Sequence, residues 1–227
     1  MIRDNISRIR EDIARLCERL GRDRKEITLV AVTKYAEGGQ IKEAIQAGIA
    51  DIGENRVQEA EAKFRLVHQG NVTKHMIGHL QTNKVRQALK VFDMIQSVDR
   101  VRLVEDINKQ AGLNGKTVKV LVQVNTSREV QKFGIDPDGL IPLIQKLADL
   151  KYVHLLGLMT MAPLTEDKDC VRNCFKILRG QFQRIKEDFA QVSNIEMKYL
   201  SMGMSQDYAT AIEEGSNMVR IGSAIFK

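Results

Sequence analysis

The chain has no tryptophan, its aromatic residues amount to 5%, and only three prolines and three cysteines occur among 227 residues. With so few rings, and none interleaved with a basic stretch, it has no platform on which nucleic-acid bases would stack. Three cysteines cannot pair completely, and Cys170 with Cys174 supplies too few ligands for a structural zinc. Reduced thiols and a cytoplasmic location are therefore expected, and the Asn-x-Ser/Thr triplets at Asn5, Asn71 and Asn125 become chance matches. No apolar run approaches the roughly 18 residues that would cross a bilayer. The start, Met1-Ile2-Arg3-Asp4-Asn5, is charged where a secretory leader would be apolar. Neither a membrane nor export is expected. No segment is low in complexity and nothing reads as a linker, so residues 1–227 are expected to form a single domain.

Charge adds a milder constraint. Lys and Arg number 35 against 29 Asp and Glu, a net charge of +6. The basic residues are spread along the chain among acids, as in Arg184-Ile185-Lys186-Glu187-Asp188. That pattern gives a mildly basic, solvated surface and no concentrated footprint for nucleic acid.

The periodicity carries the fold. Ile6, Ile9, Ile13, Leu16 and Leu20 recur at helical spacing, which predicts an amphipathic helix over residues 1–21 ending at Gly21. Residues 27–33 then form a continuous apolar run, the mark of a strand buried on both faces. Similar runs follow at 50–53, 74–79, 93–98, 118–125, 153–159, 197–201 and 218–222. Helical patterns lie between most of them, including 58–69, 101–112 and 170–192. Strands alternating with helices imply right-handed crossovers and a parallel sheet. Eight units at about 25 residues each close into an α/β barrel of the (β/α)8 type, here over residues 27–227. The open doubly wound sheet is disfavoured because no glycine fingerprint marks a first nucleotide-binding turn. The segment Gly112 to Thr117 is no P-loop either: it precedes a strand, and Gln110 stands where glycine is needed.

In such a barrel the chemistry collects where strands end. Those positions hold Lys34, Glu54-Asn55, His79, Asn125-Thr126, Met159-Thr160, Ser201-Met202-Gly203 and Arg220-Ile221-Gly222-Ser223. Lys34 closes the most apolar strand, so its amine is expected to be desolvated and able to condense with an aldehyde. A lysine snorkelling to solvent is the plainer alternative. The small residues after strands seven and eight suit an anion, whose oxygens backbone N–H groups and hydroxyls can approach. An aldehyde that also carries a phosphate fits both ends, and pyridoxal 5′-phosphate (PLP) is such a molecule. His75 and His79 stand about 13 Å apart if both lie on one strand, too far to share a metal ion. No metal site is expected, His68 and His154 are read as structural, and Met159 and Met161 are read as core or cofactor contacts on equal terms.

Six ordered segments carry a resemblance. They are Val32-Thr33-Lys34, Gly53 to Glu59, Ile77 to Lys84, Gly157 to Met161, Leu200 to Asp207 and Val219 to Phe226. From about residue 5 to the C-terminus the chain closely resembles the pyridoxal phosphate homeostasis protein family, which is similar to a free-standing alanine racemase N-terminal barrel. The resemblance implies that Lys34 is the Schiff-base lysine and that Ser201, Gly203, Gly222 and Ser223 hold the phosphate. It implies that Arg220 faces the pyridine nitrogen, and that Asn55, His79, Met159 and Met202 line the ring. Three departures stand out: Arg56 where an aromatic is common, Lys74-His75-Met76 in place of a more aromatic segment, and Lys227 where glycine is frequent.

The resemblance also implies a protein that holds and releases PLP and so regulates its free level, with no efficient catalysis of its own. An arginine does not give up its proton, so a pyridine nitrogen facing Arg220 stays unprotonated and the ring is a poor electron sink. The competing expectation is a minimal amino-acid racemase or lyase with Lys34 as its sole base. A monomer is expected because the barrel occupies the whole chain. PLP-requiring apo-enzymes or a regulatory protein are the partners that the carrier reading calls for.

Overall fold

The computed structural model describes residues 1–65, 72–129 and 131–227. Eight parallel strands close in sequence order into a barrel: β1 (Thr28–Val32), β2 (Asp51–Glu54), β3 (Thr73–Met76), β4 (Met94–Val98), β5 (Val118–Gln123), β6 (Val153–Met159), β7 (Ile195–Ser201) and β8 (Met218–Ile221). β1 pairs with β8 through Val30↔Arg220 and Ala31↔Ile221, which shuts the ring. The helices are α1 (Ile2–Leu20), α2 (Gly38–Gln46), α3 (Val57–Phe64), α4 (Val85–Val91), α5 (Val101–Leu113), α6 (Leu140–Ala148), α7 (Lys168–Asp188), α8 (Tyr208–Glu213) and α9 (Ser223–Phe226). All eight expected strands are present, and the expected (β/α)8 barrel is the observed one. Residue 68, residue 71 and part of the expected 58–69 helix lie outside the described residues.

Strand residues alternate between two layers, as the two-residue period requires. Ala31, Ile52, Ile95, Val120, Leu155, Leu158, Val219 and Ile221 point outward into one apolar layer beneath the helices. Val30, Met94, Leu121, Leu156, Met159 and Met218 fill the barrel itself. That interior also contains polar side chains shut off from solvent: His75, Gln96, Ser201 and Arg220. Helix α1 lays Ile6, Ile9, Ile13 and Leu16 on the barrel's helical shell, touching α2, α8 and α9. It ends where expected, at Gly21, whose left-handed backbone (φ 65°) lets the cap N–H groups return to Cys17 and Glu18.

Several boundaries differ from the expected ones by a few residues, and three of these differences are instructive. β3 stops at Met76, not residue 79, because Gly78 packs onto the backbone of Asn55 so closely that a Cβ would fall 2.3 Å from the Asn55 carbonyl oxygen. α7 ends at Asp188; Phe189 and Val192 still pack on the core, but from a turn. The same helix begins two residues early, where the Asp167 carboxylate accepts N–H bonds from Asp169 and Cys170, each 3.0 Å long. Among the described residues, no helix is long and apolar enough to cross a membrane. None of their His, Cys, Asp and Glu side chains cluster in threes that could hold a metal ion.

Candidate functional site

A cavity of about 790 Å³ opens at the C-terminal end of the barrel, between β1, β8 and the loops after β6 and β7. Lys34, Arg220, Gly222 and Ser223 line it together, although they come from opposite ends of the sequence. Its charged lining includes Lys34, Lys168, Arg220 and Lys227 against Glu166 and Asp207, so the balance favours an anionic guest.

Lys34 lies two residues past β1, in a turn whose backbone is pinned from outside the strand. The Lys63 ammonium donates to the carbonyls of Thr33 (2.9 Å) and Lys34 (3.0 Å) and to the buried carboxylate of Glu54 (2.7 Å). Glu54 in turn accepts the N–H of Asn55 at 2.6 Å. The turn backbone is therefore held from outside while the Lys34 side chain reaches out beside Tyr35. The expected desolvation does not hold: the residue is exposed, because it lies beyond the strand, and its Nζ sits 4.7 Å from the centroid of the Tyr35 ring. Lys34 holds the Tyr35 phenol below its ordinary range.

Arg220, on β8, is buried apart from the face it turns to the cavity. Its Nη1 donates to Ser201 Oγ and its Nη2 to the Thr160 carbonyl, both at 2.7 Å. Its remaining N–H groups are left for whatever enters. Burial pulls the guanidinium down to about 10, with nearby Asp207 acting against that shift. Asp207 is itself pushed up by burial, although it accepts the Met204 N–H.

The corner expected to hold an anion is built by the loop after β7 and the start of α9. Gly203 has φ 98°, and a Cβ there would lie 2.6 Å from that of Ala211, so only glycine lets this loop pack on α8. Its carbonyl accepts the Arg220 N–H at 2.9 Å, which ties the loop to β8. Gly222 approaches Val32 so closely that a Cβ would be 3.1 Å from the valine Cβ. Ser223 opens α9, so its N–H has no partner within the helix. Ser205 also lines the cavity, its hydroxyl accepting the Ala224 N–H at 3.4 Å.

The other expected positions lie elsewhere. Ser201 is fully buried beneath Arg220, not turned to the cavity. Met159 packs inside the barrel with Val30 and Met218, and Met202 belongs to the layer under the helices. Asn55 is half-buried beside Glu54. His79 stacks on Phe133, ring centroids 4.0 Å apart, with Nδ1 3.3 Å from Asp99. His75 lies inside the barrel, and His154 is 3.9 Å from Glu196 at its surface. The sequence reading missed Tyr35, Ser205, Asp207 and Lys63. Ser205 and Asp207 sit within the Leu200–Asp207 segment already singled out, whereas Lys63 is one basic residue among many on a helix.

The chain matches the family described as alanine racemase, N-terminal domain, over residues 5–227. It is 37% identical to the pyridoxal phosphate homeostasis protein of Aquifex aeolicus, across 98% of this chain and 96% of that one. To the protein of the same description from Escherichia coli K12 it is 38% identical, across 99% and 95%. The structure of PipY from Synechococcus elongatus with PLP bound superposes with a TM-score of 0.86 at 32% identity, covering 100% of both chains.

Proposed function

The chain belongs to the pyridoxal phosphate homeostasis proteins, within the alanine racemase N-terminal domain family, and from that premise we propose that it binds, holds and releases PLP. The observation that carries this is one cavity lined by a projecting lysine, an arginine and a small-residue corner with hydroxyls and an unpaired helical N–H. PLP supplies an aldehyde that a primary amine attacks reversibly with loss of water. Lys34 supplies that amine. Ser223, Ser205 and the backbone at Gly222 bind the phosphate, each hydrogen bond to the anion contributing about 1.5–3 kcal/mol. Gly203 shapes this corner without donating a side chain. Arg220 faces the ring nitrogen and donates to it. Met159, Met202, Asn55 and His79 support the walls from positions further back, and Ser201 acts through Arg220.

Regulation of free PLP is the role of this holding and release. The donor-only Arg220 favours storage over turnover, because a ring nitrogen that receives a hydrogen bond without a proton draws electrons weakly. The partners are PLP-requiring apo-enzymes or a regulatory protein. A monomer is the state proposed for this role, and the three free thiols accord with a cytoplasmic location. Borohydride reduction tests the reading. Purified protein incubated with PLP should turn yellow, and reduction should fix the cofactor to the peptide containing Lys34. Fixation at another lysine, with Lys34→Ala equally yellow after dialysis, would overturn the assignment.

A further inference from the structure

A continuous chain of hydrogen bonds runs through the barrel from its N-terminal end to the cavity. Asp51, at the first position of β2, has Oδ1 2.9 Å from His75 Nε2. His75 Nδ1 is 2.9 Å from Gln96 Nε2. Gln96 Oε1 accepts from Ser201 Oγ at 2.7 Å, and Ser201 Oγ accepts from Arg220 Nη1 at 2.7 Å. His75, Gln96 and Ser201 are each 0% exposed. The chain crosses β2, β3, β4, β7 and β8.

The two ends dictate its polarity. A guanidinium only donates, so Ser201 must accept from Arg220 and spend its own proton on Gln96. The Gln96 atom facing Ser201 is then its carbonyl oxygen, and its amide nitrogen faces His75. His75 Nδ1 must accept that amide proton, which leaves the imidazole proton on Nε2. An ionised carboxylate only accepts, and Asp51 receives it. Each link has one orientation that satisfies both neighbours, and the second amide proton of Gln96 finds Met218 Sδ at 3.2 Å. Burial makes any misoriented member costly.

We propose that Asp51, His75 and Gln96 are positioning residues for Arg220, fixing the guanidinium plane that faces the cavity from the far end of the barrel. This deepens the PLP-binding reading, and its first measurement is independent of it. Nitrogen-15 spectra of the protein without added PLP should show His75 as the neutral Nε2–H form, and one fixed set of Arg220 side-chain N–H signals. Gln96→Met cuts the chain in the middle, and Ser201→Ala cuts it next to Arg220. Each should broaden or average the Arg220 signals and weaken PLP by about tenfold. Because both remove the same constraint, the double variant should be no weaker than either single one. Gln96→Glu keeps an acceptor for Ser201, so it should preserve the Arg220 signals while forcing a second proton onto His75. The Nδ1–H form of His75 in the wild type, or additive losses in the double variant, would overturn the relay. A protein that shows the predicted His75 and Arg220 signals yet fails to bind PLP would leave the relay standing and sink the binding reading.

Discussion

Glu54 has no exposed surface, and a lone carboxylate there would carry a desolvation cost of several kcal/mol. Lys63 offsets it and at the same time fixes the backbone of Lys34, so stability and site geometry share one ammonium. Lys63→Met should lower stability by about 3–5 kcal/mol, whereas adding Glu54→Gln should recover most of it. Urea unfolding of the two variants checks this, and a double variant no better than the single would refute it. Asp207 makes a pH-dependent prediction. Its folded-state value lies above the ordinary 3.8, so between the two values the native state holds the extra proton. Stability contributed by that proton is present below the ordinary value and lost as pH rises through the folded one. Asp207→Asn should therefore gain on the wild type as pH rises across that window, and parallel stability curves would contradict it. At the anion corner, Ser205→Ala with Ser223→Ala should weaken PLP far more than pyridoxal, which has no phosphate. Equal losses in paired titrations would place the phosphate elsewhere.

Elements carry the same logic at longer range. α1 is not part of the eightfold repeat, yet Ile6, Ile9 and Ile13 are almost wholly buried on the shell. Ile9→Ala should cost about 2–5 kcal/mol, read by denaturant midpoint at unchanged slope. A loss below 1 kcal/mol would mean that α1 is loosely attached. α1, the eight strands and most helices were legible in the sequence because each has a burial period that tertiary contacts reinforce. The ends were less legible where packing overrode the pattern. Apolar spacing runs on through Val192, but Phe189 and Val192 satisfy it from a turn. The apolar run after β3 is cut by the contact between Gly78 and Asn55, a meeting of two loops that no local period encodes.

At the scale of the molecule, barrel closure sets Lys34 beside Arg220, Gly222 and Ser223, and this was legible because strand ends of a barrel share one face. What lies behind that face was not. Ser201 and Arg220 are adjacent in space only through the β7–β8 pairing, and His75 with Gln96 reaches them across the interior. Sequence order gives no sign that a serine in a phosphate-like motif is spent on an arginine. The same arrangement bears on the choice between carrier and enzyme. Ser201 and Thr160 hold Arg220 in place, so on the proposed binding mode the group facing the ring nitrogen is a donor that keeps its proton and not a carboxylic acid. Removal of an amino acid's α-proton should then be slow, while exchange of one amine for another at the aldehyde carbon proceeds without it. Incubated with PLP and a panel of amino acids in deuterated water, the wild type should incorporate deuterium at the α-carbon far below the roughly 1–1,000 s⁻¹ of ordinary enzymes. In parallel it should pass PLP to an acceptor apo-enzyme. Arg220→Glu offers the ring nitrogen a carboxyl group, and wherever that variant still binds PLP its exchange should be faster than the wild type's. Fast, stereospecific exchange by the wild type would replace storage and release with racemase chemistry on Lys34.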